Sequence, residues 1–300
     1  MVLYPIGLDM ELEKAHKTFI QSLEALDRSA STVIAYQKDL EQLIEYLYKQ
    51  GLNTIAEVKL VHLKSFMEGL AQKDYTPKSI SRKTNATKTF FRYLQTEGHI
   101  TANPSDELKH PRLESKAPRI LSRLEYGGLR DAAKNDNRTY AIIEVLLQTG
   151  IRIDELSKVS LEDFVIKDEK TGILIIPEKR GHARREIPLN HAVISAVKAY
   201  LDEERPKNVK SNYLFITKTG NPLLVRNVRS SITKYFAQAG IKNAKINDLR
   251  HTFVAFHLTQ GVNISYLSKI AGHKRISTTE KYLEYVERDD IAEKHELSTL

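Results

Sequence analysis

The first hundred residues carry apolar positions at the spacing of amphipathic helices. Apolar side chains recur every three or four positions from Phe19 to Leu26, and a second stripe follows Ser31-Thr32 and stops at Gly51. Such a stripe buries one face of a helix, with hydroxyl residues favoured at its start and glycine at its end. The pattern predicts a bundle of four or more helices. Two further predicted helices span residues 61–70 and 76–98, the second with proline in its first turn.

The helical periodicity disappears between Asn103 and Ser122. Three prolines are spaced through this stretch among lysine, arginine and histidine residues. Because spaced prolines resist helix formation and favour extended backbone, the pattern predicts a basic linker over residues 106–121. The linker divides a helical domain, residues 1–105, from a second domain, residues 122–300.

The second domain mixes helices with a small amount of strand. Two apolar runs, residues 172–177 and 185–189, flank a basic turn and predict a β-hairpin. Helices are predicted at residues 122–134, 138–149, 153–158, 191–204, 225–239, 248–260, 264–271, 278–287 and 289–297.

Composition indicates a protein that works on a polyanion. The chain is 41% hydrophobic and 28% charged, has no cysteine, and holds no apolar run long enough to cross a membrane. We therefore expect a cytoplasmic protein without disulfides or thiolate metal sites. Residues 1–115 contain 15 basic and 15 acidic side chains, so the net charge of +8 falls entirely on residues 116–300. That imbalance favours nucleic acid as the partner.

The fourth helix carries a local basic run although its domain is neutral. No acidic residue lies among these side chains to pair with them at helical spacing. An ordinary solvated face is one interpretation, and contact with DNA phosphates is the other, which the lack of acidic partners favours. The residues are Lys78, Arg82, Lys83, Lys88 and Arg92.

The side chains suited to phosphate chemistry stand in short motifs of the second domain. Arg152 follows a helix-ending glycine, and Arg250 lies within Leu249-Arg250-His251. Further along, Gly272-His273 precedes Tyr282 by nine residues. Two guanidiniums converging on one place match the oxygens of a phosphate, and a nearby tyrosine can attack that phosphate and hold it covalently.

This ordered set closely resembles the tyrosine recombinase (phage integrase) family, particularly its compact Xer-like members. The resemblance covers nearly the whole chain, including the helical front domain and the Asn103-Pro104 and Pro111-Arg112 linker. It implies a mainly α fold with a small β-sheet, in which a SAM-like core-binding domain and a mixed α/β catalytic domain form a C-shaped clamp on DNA. It also implies site-specific recombination through a 3′-phosphotyrosyl intermediate and a Holliday junction, without cofactor or metal.

The resemblance also implies a role for each motif residue. Tyr282 is the nucleophile rather than Tyr285, which lies one turn further on, and Arg152 and Arg250 bind the scissile phosphate. His273 hydrogen-bonds a non-bridging phosphate oxygen or the attacking tyrosine. Glu155 orients Arg152. His251 is expected to pack rather than to react. Arg180 and Arg184 of the hairpin turn join the expected DNA contacts.

Two positions offer alternatives at this stage. The family places a lysine in the hairpin as general acid. Spacing from Pro188 selects Arg180, but we choose Lys179, because arginine is a poor acid. Where the family commonly has histidine, this chain has Asn247. Asparagine cannot accept a proton at neutral pH, but it can cap the helix or donate a hydrogen bond to phosphate.

The resemblance implies double-stranded DNA with a specific site as partner, and a tetramer on DNA held by the C-terminal tail, residues 289–300. Within the same chemistry, we expect Xer-type resolution of chromosome or plasmid dimers, and integration or excision of a mobile element is the alternative. A type IB topoisomerase-like enzyme and a catalytically inactive DNA-binding relative are weaker alternatives.

Overall fold

The structure is a computed structural model, and it describes residues 10–114, 116–179, 182–286 and 296–300. The chain forms two compact units, Met1–Ser115 and Lys116–Leu300. Among the described residues, no helix is both long enough and apolar enough to cross a membrane.

The first unit is a bundle of four α-helices, which confirms the four predicted helices, although α1 begins seven residues before the predicted stripe at Phe19. Local signals set the starts of two of them: the Ser29 and Thr76 hydroxyls each accept a backbone N–H of the first turn, and Pro77 occupies the first helical position of α4. Phe19, Phe90 and Phe91 pack in its core. The helices are α1 (Leu12–Ala25), α2 (Ala30–Lys49), α3 (Leu60–Gln72) and α4 (Pro77–Thr96), with a short 3₁₀ turn at Ile55–Glu57.

The second unit surrounds one buried helix with shorter helices and a three-stranded sheet. Its elements are α5 (Arg123–Ala133), α6 (Asn137–Thr149), α7 (Ile153–Leu156), β1 (Phe164–Ile166), β2 (Gly172–Ile176), β3 (Arg185–Leu189), α8 (His191–Ala199), α9 (Val225–Gln238), α10 (Ile246–Thr259), α11 (Ile264–Ala271) and α12 (Ser277–Glu280). A π-helical turn, Tyr200–Glu204, continues α8, and a 3₁₀ turn, Lys281–Glu284, follows α12. A mainly α fold with a small sheet was predicted, and it is confirmed.

Helix α6 is the centre of the second unit. Every residue from Ala141 to Thr149 is buried, because α5, α8, α9 and α10 pack around it. The helix ends at Gly150, whose left-handed backbone (φ 61°) suits glycine. After Gly150 the chain leaves the core and leads directly into α7, which begins next to Arg152.

The sheet is antiparallel in the order β1-β2-β3, with Leu174 opposite both Phe164 and Ile187. Strands β2 and β3 were predicted, whereas β1 was not, because three apolar residues are too few to establish a period. The predicted helix at 278–287 is also shorter than expected, since the 3₁₀ turn ends it at Glu284. The helix predicted at 289–297 lies mostly outside the described residues.

The described residues between the two units have no helix or strand from position 109 to 121. Leu108 is buried in the core of the first unit, and Leu121 is buried in the core of the second.

Candidate active site

Arg152 stands at the N-terminus of α7 with its guanidinium held from two sides. Its Nη1 donates to Glu155 Oε1 at 3.2 Å, and its Nη2 donates to the Gly272 carbonyl at 2.7 Å. The Glu155 carboxylate also accepts the Arg152 backbone N–H at 2.8 Å, so the first turn of α7 fixes both residues. About a third of the Arg152 side chain, 31%, remains exposed and can meet a ligand.

Arg250 reaches the same region from α10. Its Nη1 donates to the Gly150 carbonyl. A Cβ at Gly150 would lie 2.2 Å from the ring of Phe253, so the glycine allows α10 to approach this closely. Burial and the charge of Arg152 lower the pKa of Arg250 to about 10. Arg250 therefore stays charged at neutral pH, and an anion between the two guanidiniums would relieve their repulsion.

Glu155 holds a negative charge between arginines. Burial alone would raise its pKa, but hydrogen bonds from Arg185 and the Arg152 backbone, with the two guanidinium charges, outweigh burial and lower it. The carboxylate is therefore ionised at neutral pH, and with its side chain only 11% exposed it orients Arg152 rather than binding phosphate itself.

His273 follows Gly272, the left-handed residue (φ 70°) that ends α11. Its Nδ1 lies 2.7 Å from the Thr279 hydroxyl. Burial and the charges of Arg250 and Arg152 lower the pKa of His273 to about 3. The imidazole is therefore neutral, and if Thr279 donates to Nδ1, Nε2 carries the proton and can donate to a phosphate oxygen.

Tyr282 lies on the 3₁₀ turn after α12 and is only 7% exposed. Burial raises the pKa of its hydroxyl, while the charge of Arg250 acts in the opposite direction. The ring of His251 packs edge-on against the Tyr282 ring at 6.1 Å, consistent with the packing role expected for that histidine. Tyr285 ends the same turn, with its backbone N–H on the Tyr282 carbonyl, and is half-buried.

The basic hairpin turn is only partly described, because Arg180 lies outside the described residues. Lys179 Nζ forms an ion pair with Asp154 of α7 at 3.1 Å, and the two side chains are 52% and 48% exposed. Arg184 is also exposed and pairs with Glu186 at 2.8 Å. The structure therefore places Lys179 beside α7, with its ammonium paired to a carboxylate of that helix.

Asn247 does not cap α10, so that interpretation is wrong. The helix begins at Ile246 with Lys245 in the cap position, and Asp248 Oδ2 accepts the Lys245 backbone N–H at 2.7 Å. Asn247 is an exposed residue of the first turn. It stands three residues before Arg250, and that spacing places the two side chains on one face of the helix.

The basic run of α4 divides into exposed and structural residues. Lys83 is buried, and its Nζ pairs with the buried carboxylate of Asp39 at 2.8 Å, so its expected phosphate contact is wrong for this structure. Arg82 pairs with the same carboxylate but stays half exposed. Lys88 donates to the Asp106 and Leu108 carbonyls at 2.9 and 3.1 Å. The lack of acidic residues along α4 predicted unpaired lysines and arginines, but the acid that pairs with Lys83, Asp39, lies in α2. Lys78 and Arg92 are exposed.

Sequence reasoning missed Arg185, the first residue of β3. Its side chain is 6% exposed, and its Nη1 and Nη2 donate to the two Glu155 oxygens at 3.0 and 2.8 Å. Along β3 every second residue faces the same side of the sheet, so Arg185 faces the core together with the buried Ile187 and Leu189. This period of two was the signal for an inward-facing arginine.

Comparison with known proteins agrees with this arrangement. Residues 113–288 match the phage integrase family, and residues 17–98 match the phage integrase N-terminal SAM-like domain. The tyrosine recombinase XerC of Oceanobacillus iheyensis is 29% identical over 297 residues, covering 94% of this chain and 95% of that protein.

Two solved structures share the fold. One is the XerH site-specific recombinase bound to a palindromic difH substrate in a post-cleavage complex, with a TM-score of 0.74, 20% identity, and 91% of this chain and 80% of that one covered. The other is a lambda integrase tetramer bound to a Holliday junction, with a TM-score of 0.73, 16% identity, and 94% and 78% covered.

Proposed function

This chain belongs to the phage integrase family, and from that membership we propose that it is an Xer-type site-specific recombinase using Tyr282 as its nucleophile. The observation that carries the assignment of the site is the convergence of Arg152, Arg250 and neutral His273 beside a buried tyrosine. Arg152 and His273 are joined through Gly272, and the charges of both arginines act on His273.

In the proposed cleavage step, the Tyr282 hydroxyl oxygen attacks the scissile phosphorus. The bond from phosphorus to the 5′ oxygen breaks, and the DNA keeps a 3′-phosphotyrosyl link to the protein. Lys179 gives its proton to the departing 5′ oxygen. The phosphotyrosyl bond conserves the energy of the phosphodiester, so attack by the 5′ hydroxyl of another strand reverses the step and rejoins DNA.

The arginines stabilise the charge that develops on the pentacoordinate phosphate. Removing one such donor typically slows a reaction by about 10²–10³-fold. His273 adds a neutral N–H donor, and Asn247 adds an amide from the same face of α10 as Arg250. The Tyr282 proton leaves to water or to a group other than Asn247, because an amide is not a base at neutral pH.

DNA contacts are proposed at the exposed basic side chains Lys78, Arg82, Arg92 and Arg184, and at Arg180. The net charge of the second unit supports a DNA partner for that unit. We place the protein in the cytoplasm, acting on chromosome or plasmid dimers, in keeping with the Xer name of its relative.

We further propose that the protein assembles as a tetramer on DNA through residues 289–300. Residues 296–300 support this, because the second unit holds the segment through hydrogen bonds to its backbone and through packing of Leu297 and Leu300 against the core. Gln148 exchanges hydrogen bonds with the Leu300 backbone at 3.0 and 3.1 Å, and Arg130 donates to the Leu300 oxygen at 3.1 Å. His257 Nε2 lies 3.1 Å from the Ser298 carbonyl. The same groups can accept this segment from a neighbouring subunit.

The test begins with recovery of the bound DNA sequence from a genomic pull-down. A nicked duplex that carries the recovered site is then incubated with wild type, Tyr282→Phe and Tyr285→Phe, and SDS-resistant adduct is measured on gels. Wild type and Tyr285→Phe should form adduct, whereas Tyr282→Phe should bind but form none, because it lacks only the attacking oxygen. Adduct from Tyr282→Phe would refute the nucleophile assignment. Absence of Holliday junctions with two intact sites would refute recombination.

A further inference from the structure

We propose that Arg185 is a positioning residue for strand cleavage, which fixes Glu155 and, through it, the phosphate-binding guanidinium of Arg152. This inference rests on the proposed function and deepens it. Arg185 is not offered as a phosphate ligand, because its side chain is buried and its donors are directed at protein acceptors.

Burying the charged guanidinium of Arg185 in the core costs free energy. On β3, Ile187 and Leu189 face the same core and are apolar, as a strand of this kind demands. A buried guanidinium is tolerated only when its donors are satisfied and its charge is paired. The Nε of Arg185 donates to the Ile270 carbonyl at 2.9 Å, and its two terminal nitrogens form a fork on the Glu155 carboxylate.

Glu155 makes this fork relevant to catalysis because it also touches Arg152. Oε1 accepts from Nη1 of both arginines, and Oε2 accepts from Arg185 Nη2 and from the Arg152 backbone N–H. One carboxylate between two guanidiniums leaves a net charge of +1. If Arg185 were absent, Glu155 would be free to pair fully with Arg152, which would neutralise and redirect the group that must meet the phosphate.

Gly272 connects Arg185 to the other side of the same site. A Cβ on Gly272 would lie 2.8 Å from Arg185 Cζ and 2.9 Å from its Nη1, so the arginine fills the space that the glycine leaves. The Gly272 carbonyl holds Arg152 Nη2, and the next residue is His273. Arg185 therefore packs against two of the groups that orient Arg152, the Glu155 carboxylate and the Gly272 backbone.

The test compares single-turnover cleavage of two matched nicked duplexes, one with a normal scissile phosphate and one with a methylphosphonate there. The methyl group replaces a charged oxygen, so the second substrate depends less on guanidinium charge. Arg185→Met should slow cleavage of the phosphate by about 10- to 100-fold, as expected for loss of a group that orients a ligand-binding residue. On methylphosphonate the loss should be several-fold smaller.

Arg152→Ala shows how large the difference between the two substrates is when the phosphate-binding guanidinium itself is lost. The double variant Arg152→Ala/Arg185→Met should cleave no more slowly than Arg152→Ala alone, since both changes remove the same function. Arg205→Met is the matched control. Arg205 is a half-buried arginine of the same unit whose Nη2 donates to the Ser211 and Tyr213 carbonyls. Its loss should affect both substrates equally.

Equal losses on both substrates, or an additive double variant, would show that Arg185 only supports the fold and would overturn the inference. Arg185→Lys covers the case in which the methionine variant does not fold, because it keeps the charge but lacks the fork. Cleavage of the phosphate substrate by Arg185→Lys at the wild-type rate would also overturn the inference. Failure of wild type to form adduct on either substrate would instead overturn the proposed function, and this inference with it.

Discussion

Replacing Gly272 with alanine separates backbone strain from crowding of the candidate active site. Gly272 and Gly240 have nearly the same left-handed backbone, with φ of 70° and 69°. At Gly240 no heavy atom lies within 4 Å of an added Cβ, whereas at Gly272 the Cβ would lie 2.8 Å from Arg185 Cζ. Gly240→Ala is therefore a matched control that introduces the strain alone.

The two variants should differ in stability. Left-handed backbone costs alanine about 1–2 kcal/mol relative to glycine, and both variants carry that cost. Gly272→Ala also forces a buried arginine from its place, and overpacking of this kind costs about 1–3 kcal/mol more. We expect the free energy of unfolding to fall by about 1–2 kcal/mol in Gly240→Ala and by about 2–5 kcal/mol in Gly272→Ala.

The two variants should differ more clearly in activity. The Gly272 carbonyl accepts from Arg152, and the displaced Arg185 side chain holds Glu155. We expect single-turnover adduct formation to slow by about 10- to 100-fold in Gly272→Ala and to stay at the wild-type rate in Gly240→Ala. Urea unfolding followed by circular dichroism, with adduct gels at saturating protein, measures both quantities. Equal stability losses and equal rates in the two variants would refute the assignment of crowding at Arg185.

Three further predictions concern Asn247, His273 and the C-terminal tail. Because Lys245 rather than Asn247 occupies the N-cap position of α10, Asn247→Asp should leave the melting temperature nearly unchanged while slowing cleavage by about 10²-fold. Asn247→His should hold or raise the cleavage rate and make it depend on pH near 6.5. Wild-type cleavage by Asn247→Asp would contradict a phosphate contact. The pKa of His273 is lowered to about 3 in the folded protein, so as the pH drops the imidazole of the unfolded chain takes up a proton first. The free energy of unfolding should therefore fall below about pH 6.5, by at most about 2 kcal/mol at pH 5. Urea titrations should find a smaller pH dependence in His273→Gln, and an unchanged one would contradict the burial of a neutral imidazole. Removing residues 289–300 should preserve binding to one half-site in gel shifts but impair cooperative assembly and recombination, and unchanged recombination would contradict the role of the tail.

Neighbouring residues alone determined much of the fold. The apolar periods predicted the four helices of the first unit, and Thr76-Pro77 predicted the start of α4 because a hydroxyl cap and an N-terminal proline act within one turn. The order of the motifs predicted the family, which the match over residues 113–288 establishes. These features need no knowledge of how distant segments pack.

Only the tertiary structure decided which charges are buried. Lys83 looked like a surface cation because no acid lies near it along α4, yet Asp39 of α2 meets it in the core. Arg185 looked like one more basic residue next to the hairpin turn, at the start of a predicted strand, yet it is paired with a carboxylate thirty positions earlier. The sequence order of charges cannot reveal such pairs, because a buried charge is stabilised by whichever opposite charge the fold brings within about 3–4 Å, however far apart the two lie in the chain.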